Sequence, residues 1–396
     1  MSDKEMEEAW NNGDRKSVIT QVLKPRQGIS HSDCIIVLQV KHFSRGDRMK
    51  TFVLLMGAAL TTLLGVSAGY AQQSSFNRLS SDVFDVVPPS DRVIGTPGEM
   101  RVQQNSCRVL PTGDTRRRIV DVVVQEWGFF GFPVADQGTR DEQLRRAEGS
   151  DTNDSQPRRR RRSRLSTEEF ARVADSIAGY WAATPDGQWM VDRQNGRWNR
   201  TEDIGSRWRD PWSAAFVSWV MCESGLGDRD QFRRAIAHHE YIDQAIRARD
   251  GGMTEPAFDA YDIGEAAIAP GDLLCSARRP RYSTIAERRS QMGEGARTHC
   301  DVVVKVDRVG ARIFAIGGNV GSTVSLKVLA GVHDERVGLR PVNRLFAHLK
   351  LRADPIEAEA FDNTPTIKAL SCAVGFEPPS QSFLTSIDGY WNCTVH

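Results

Sequence analysis

Helical patterning in this chain stops near residue 250, and strand patterning begins after Pro270-Gly271-Asp272. Helices first and strands after confine the fold to the α+β class. Ile119, Val120, Val123, Trp127 and Phe130 recur at three- and four-residue spacing and predict a helix over 118–130, although the Val run there also suits a strand. Ser166 and Glu169 have capping-box spacing and open a helix to about Trp181. Asp210 and Pro211 fit the N-cap and first position of another helix, which puts Ser213 in its first turn. Phe216, Val217, Val220 and Met221 form its apolar stripe, and Gly225 and Gly227 end it. A further helix is expected over about 229–248, carrying Phe232, Ile236, Tyr241, Ile242 and Ile246. Strands are expected at 273–275, 299–306, 312–316 and 324–328.

The rest of the chain divides around this core. Residues 51–65 are free of charge, Arg48 and Lys50 precede them, and Ala68, Gly69 and Ala71 follow. That is the order of a secretory signal peptide, with Met49 as its start and residues 1–48 as a miscalled leader. The alternative is a membrane anchor over 51–70, long enough to span and held with its basic side in the cytoplasm. Either way the main domain is exported, to the periplasm or outside the cell, and it meets the membrane only if the segment stays uncleaved. Residues 72–113 read as an irregular lead-in, 114–350 as the main domain, 136–164 as a polar insertion within it, and 351–396 as a C-terminal extension. The insertion ends in five Arg, 158–162, a solvated loop in the commoner reading and a polyanion site in the sharper one. A formal net charge of +1 gives no argument for nucleic acid as partner.

Five Trp fall between 181 and 212: Trp181, Trp189, Trp198, Trp208 and Trp212. Asp186-Gly187 and Asn195-Gly196 are turn signals among them. Such a row can stack on sugar rings, but in a small domain it more often builds core or cleft wall. Of the seven Cys, six follow the apolar segment, and an even count in an exported chain permits disulfides. Cys372 and Cys393 are close enough in sequence to staple a tail. Cys222 lies nine residues after Ser213 and, at about 100° per residue, on the opposite helix face. His238-His239-Glu240 has the residue types of a metal site, yet adjacent His point about 100° apart and cannot share one ion from a regular helix.

Four parts stand in a recognisable order: a helix opening with Trp212-Ser213-Ala214-Ala215-Phe216-Val217, the Pro270-Gly271-Asp272 strand entry, a strand led by His299, and an Ile316-Gly317-Gly318-Asn319 turn. Over about 115–350 the chain resembles the bacterial family called domain of unknown function 2272. That family in turn resembles the NlpC-type and CHAP-type papain-like peptidoglycan hydrolases. The resemblance implies a papain-like α+β fold with N-terminal helices packed on an antiparallel sheet. It also implies a hydrolase acting on amide bonds of cell-wall peptides, with no cofactor and no metal. Ser213 then stands where such enzymes hold the nucleophilic Cys, with His299 as base and Asn319 as orienting residue. Trp212, His238, Tyr241 and Asp301 are expected to line the substrate cleft.

A helix N-terminus lowers a thiol's pKa, but a hydroxyl is far harder to ionise, so Ser213 needs a well-placed base. Taken singly, Ser213 is also an ordinary first-turn residue, His299 an ordinary strand histidine, and Asn319 an ordinary turn residue. A non-catalytic envelope or peptidoglycan-binding protein that keeps the cleft is the alternative. In the resembling fold the strands of Cys275 and Cys300 pair, which implies a disulfide between them; two buried free thiols are the alternative on sequence grounds.

Overall fold

The computed structural model describes residues 77–135, 165–200 and 207–372. The leader, the apolar segment 49–71, the polar insertion with its Arg run, and Cys393 lie outside the described residues. The fold is α+β. Its helices are α1 (Ser81–Phe84), α2 (Thr115–Phe129), α3 (Thr167–Arg172), α4 (Ala174–Ala182), α5 (Gly187–Trp198), α6 (Ser213–Glu223), α7 (His238–Gly251), α8 (Ile285–Arg289) and α9 (Pro365–Cys372). A two-stranded ribbon, β1 (Val93–Ile94) and β2 (Arg101–Val102), precedes the main sheet. The strands of that sheet are β3 (Val134–Ala135), β4 (Phe258–Tyr261), β5 (Leu273–Arg279), β6 (Arg297–Asp307), β7 (Arg312–Val320), β8 (Thr323–Asp334), β9 (Gly338–Pro341) and β10 (Ala347–Leu351). They lie in the order β3-β8-β7-β6-β5-β10-β4, with β9 paired to β8. β3 runs parallel to β8, and the other pairs are antiparallel.

One face of the sheet carries the main core. Val302, Val304, Phe314 and Ile316 meet Ile119, Val123 and Trp127 of α2 and Phe216 and Val220 of α6. The other face holds a smaller cluster of Leu274, Val303, Ile313, Ala315 and Leu329. Every residue of α6 is buried, so the helix has no solvent side and its apolar stripe is only part of what it packs.

All four expected strands form, as β5, β6, β7 and β8. The expected capping box at Ser166 and Glu169 also forms, but the helix breaks at Val173 into α3 and α4. Asn195-Gly196 is not a turn; it lies inside α5. The Asn195 side chain is engaged elsewhere, accepting from the N–H groups of Gly98 and Met100 and donating to the Met100 carbonyl. Asp210 does not cap α6, because Arg193 holds it in an ion pair at 3.1 Å, and the helix starts at Ser213 itself. The helix expected from 229 starts at His238. Ser218 Oγ donates to the Ala235 carbonyl and accepts its N–H, which pins the stretch before α7 as a loop.

The lead-in has little regular structure, yet buried polar contacts lock it onto the helices. Arg78 meets Glu126 of α2 at 2.6 Å. The buried Arg92 pairs with Glu223 at the end of α6, and Glu223 also accepts the Val87 N–H at 2.9 Å. Cys107 and Cys222 form a disulfide that the sequence reading did not foresee. Asp272 of the Pro-Gly-Asp motif is structural. It accepts from Arg116 at 2.8 Å, from the Leu351 N–H at 3.1 Å and from the Ala269 N–H at 2.9 Å, and it bonds His348 at 2.8 Å. Gly271, at φ 89°, leaves room for the Arg116 side chain, 2.9 Å from where a Cβ would stand. In the extension, α9 adds Ile367 and Leu370 to the core.

Candidate functional site: Ser213, two histidines and a buried Asp–Lys pair

Ser213 is the first residue of α6, and Phe216 N–H is the first to reach back to an acceptor, the Trp212 carbonyl. The N–H groups of Ser213, Ala214 and Ala215 precede that bond, so the hydroxyl sits at the positive end of the helix. Its partner is His238, the first residue of α7: Ser213 Oγ lies 2.7 Å from His238 Nε2. Tyr241, one turn further along α7, places its hydroxyl on His238 Nδ1.

The strands open to receive this imidazole. β6 pairs with β7 only from Val302 onward, opposite Ile316, so residues 297–301 keep β5 alone as neighbour. On the side left free, the Cys300 N–H points at His238 Nδ1, at 3.3 Å. That bond settles the tautomer, because a backbone N–H donates and cannot accept. Nδ1 is the acceptor, the ring proton is on Nε2, and His238 donates to Ser213 Oγ. Burial pushes the His238 pKa well below its usual value, helped by His299 alongside, so the ring is neutral. Burial, then the Asp301 charge, raises Tyr241 well above its usual value and keeps its proton in place.

His299 and Asp301 form the second half of the cluster. Asp301 Oδ1 bonds His299 Nε2 at 2.9 Å, and Lys327 Nζ of β8 reaches both Asp301 oxygens, at 2.7 and 2.6 Å. Burial pushes the Asp301 carboxyl up, but Lys327 and His299 outweigh it and hold it well below the usual carboxylate range. The carboxylate is therefore charged and accepts the proton on His299 Nε2. His299 Nδ1 is left unprotonated and makes no hydrogen bond among the described residues. Burial lowers the His299 pKa, with Asp301 opposing. The two imidazoles meet edge to face, their centres 5.3 Å apart. Gly317 makes the fit possible: a Cβ there would stand 1.9 Å from Asp301 Oδ1 and 3.1 Å from His299 Nε2.

The expected site residues thus separate. Ser213, His238 and Tyr241 form one chain of contacts, and His299 and Asp301 form another beside it. Ser213 bonds His238 rather than His299, and His299 is held by Asp301 rather than by Asn319. Asn319, at φ 57°, lies where the β7–β8 register shifts, between Gly317 and Val320. It lines a separate small cleft with Trp212 at the start of α6. Trp212 itself is core, stacked between Tyr180 and Phe130 at 5.7 and 5.9 Å. Of the Trp row only Trp189 is exposed. Lys327 was missed; its signal was a lone Lys between Leu326 and Val328 in the apolar middle of a strand.

Cys275 and Cys300 sit opposite each other in the β5–β6 register and form a disulfide, so Cys300 turns away from His299. Together with Cys107–Cys222 this is a cross-linking pattern that persists in oxidising compartments. Among the described residues no group of three or more His, Cys, Asp or Glu side chains is placed to hold a metal ion. No described helix is long and apolar enough to cross a membrane.

No curated protein and no solved structure matches the chain. Residues 169–341, the stretch that holds the whole cluster, match the model of a bacterial family described as an uncharacterized protein conserved in bacteria, DUF2272.

Proposed function

We propose that this protein is an exported, papain-like hydrolase relative that acts on amide bonds of cell-wall peptides through the Ser213 hydroxyl. One observation carries the reading. A helix-terminal serine, buried but for a small opening, is bonded to His238, and edge to face with that ring stands His299, whose Nε2 is fixed by a charged carboxylate and whose Nδ1 makes no hydrogen bond among the described residues. In this reading Ser213 Oγ attacks the amide carbonyl carbon, and His299 Nδ1 takes the hydroxyl proton. Asp301 steadies the imidazolium that results, as a carboxylate does in a serine triad. His238 Nε2–H holds Oγ in place and stabilises charge growing on it. The unpaired N–H groups of α6's first turn suit the oxyanion. His299 then gives its proton to the leaving amine, and water resolves the acyl-serine. The two disulfides support export.

The second reading is a cell-wall-binding protein without chemistry, and one observation favours it. The imidazole bonded to Ser213 is a donor, since Cys300 N–H occupies Nδ1, so that ring cannot take the serine's proton.

Purified protein is incubated with peptidoglycan and with a fluorophosphonate, which phosphonylates nucleophilic serines. Hydrolysis predicts released fragments and a label on Ser213, both lost in Ser213→Ala. Equal fragment release by both proteins, or no label, removes the serine mechanism. Retention on purified walls without release then selects the binding reading.

A further inference from the structure

Positive charge collects where β5 ends and β6 begins, on the strand that carries His299. Between Ser276 and Arg297 the chain holds six Arg against two Glu and no Asp. Arg288 and Arg289 of α8 are matched, the first by Asp243 at 2.7 Å and the second by Asp250 at 2.6 Å. Arg278, Arg279, Arg281 and Arg297 are exposed and make no ion pair or side-chain hydrogen bond among the described residues. Of the two Glu, Glu287 accepts the Ser283 N–H at 2.7 Å, and Glu294 is exposed and pairs with none of the four. Arg279 stands directly opposite Arg297 in the antiparallel register. Like charges so placed destabilise a sheet, and breaches of a local rule concentrate at functional positions. Arg278 is the extra residue of a bulge, where the register shifts between Ala277 and Arg279. Bulges re-aim a side chain and are over-represented next to functional sites. The site is near: Arg297 lies two residues before His299 on the same strand face. Burial lowers the His299 pKa, Asp301 opposes it, and Arg278 is close enough to add to the lowering.

We propose that this arginine cluster is a docking surface for a phosphate-bearing polymer, separate from the chemistry at Ser213. Charge complementarity sets the sign of the partner. Opposed residues on antiparallel strands have Cβ atoms about 4.5–5.5 Å apart, so Arg279 and Arg297 can converge on one anion. One guanidinium fork already satisfies a carboxylate's two oxygens, whereas converging Arg side chains are the usual clamp on a phosphate. None of the exposed large apolar side chains among the described residues falls between 276 and 297, so the surface has nothing to insert into a bilayer. Tyr282 is buried, and no other aromatic side chain lies in that stretch to stack on nucleic-acid bases. A flexible chain of phosphate groups without bases is the occupant that these features favour. The surface goes beyond the hydrolase reading and does not rest on it: it holds the protein to an anionic polymer whether or not Ser213 reacts.

Binding is measured by calorimetry on the full chain with linear polyphosphate as the probe. Poly-L-glutamate, an oligothymidylate and vesicles containing an anionic phospholipid serve as the alternatives. Polyphosphate is expected to bind about tenfold more tightly than poly-L-glutamate, and more tightly than the other two. Its affinity should fall as salt rises, with a log–log slope of about −0.7 for each phosphate neutralised, as for single strands. Arg279→Gln with Arg297→Gln should weaken polyphosphate about tenfold and make that slope shallower by about 1.4. The thermal midpoint of this double variant should hold or rise, because the opposed charges are gone. Arg229→Gln with Arg247→Gln removes the same charge from exposed positions on other elements and should leave binding unchanged. No binding of polyphosphate, equal binding of poly-L-glutamate, or tighter binding of the oligothymidylate or the vesicles overturns the proposal. Equal weakening in the two double variants overturns it as well. So does a lower midpoint in Arg279→Gln with Arg297→Gln, which would mean that the two arginines serve the fold.

Discussion

Replacing Asp301 by Asn tests the cluster at its charged centre. The Asp301 and Lys327 side chains are 7% and 14% exposed, and they are 2.6 Å apart. Asn keeps the shape but removes the charge, so Lys327 becomes a nearly buried cation without a counter-ion. Breaking such a pair from one side costs about 3–5 kcal/mol. At about 2–4 °C per kcal/mol for a domain of roughly this size, the thermal midpoint should fall by about 6–20 °C. The loss must depend on pH in a definite direction. The Asp301 carboxyl is held below its usual value, so its contribution is present above about pH 4 and is lost as pH falls. Calorimetric scans of wild type and variant should therefore diverge at pH 7 and converge on acidification. Asp301→Leu combined with Lys327→Met removes both charges and should recover most of the loss. A single variant within about 2 °C of wild type at pH 7 would show that the pair is solvated, and the argument from its burial would fail.

Asp121 provides an opposite case: burial raises it to about 6, one of its oxygens has no partner, and neutralising it should help. Its folded state holds a proton the unfolded state lacks between about pH 4 and 6, so stability falls as pH rises through that window. Asp121→Asn should then gain up to about 3 kcal/mol in urea unfolding at pH 8 and nothing at pH 4. His238 and His299 are both shifted below their usual value by burial. Stability should accordingly fall as pH drops below about 6.5, where the unfolded chain takes up protons first, and His238→Gln should flatten that slope between pH 7 and 5. The Cys107–Cys222 disulfide spans 115 residues, and replacing both by Ser should cost about 5 kcal/mol in chemical denaturation. Gly317→Ala should displace the Asp301 carboxylate, visible as a chemical-shift change at the His299 ring nitrogens with the fold retained.

β6 through β8 were legible as short runs rich in apolar and β-branched residues, the mark of strands covered on both faces, and α2 by its three- and four-residue apolar spacing. Local signals failed where a distant side chain took the group they relied on. Asn195 reads as a turn former, but its amide is spent on Gly98 and Met100, nearly a hundred residues away. Asp210 reads as a cap, but Arg193 claims it. In the site, Ser213, His238, Tyr241, His299 and Asp301 were all visible as residue types at suggestive spacing. Their pairing was not visible, because it depends on where β6 and β7 separate and on which imidazole enters the gap. Lys327 carries no local signal beyond a charge in an unexpected place.

A serine rather than a cysteine at the start of α6 sets what the neighbouring groups must do. A thiol at the start of α6 would need little more than the helix dipole and a nearby imidazole to ionise. A hydroxyl needs a strong base at the moment of attack, and the imidazole that touches it here is turned the wrong way for that task. Cys300 N–H does the turning, and Cys300 is itself fixed by its disulfide to Cys275. The cross-link, the strand separation and the tautomer of His238 are thus one arrangement. It leaves His299 as the imidazole with an unprotonated, unoccupied nitrogen in the cluster, aligned by a carboxylate that Lys327 keeps charged. Ser213→Cys separates the two readings for this reason. A cysteine at this position that reacts readily with iodoacetamide would mean that the helix terminus and His299 still constitute a working site. One that stays inert at pH 8 would mean that His238 holds the position closed, and that the cleft binds without reacting.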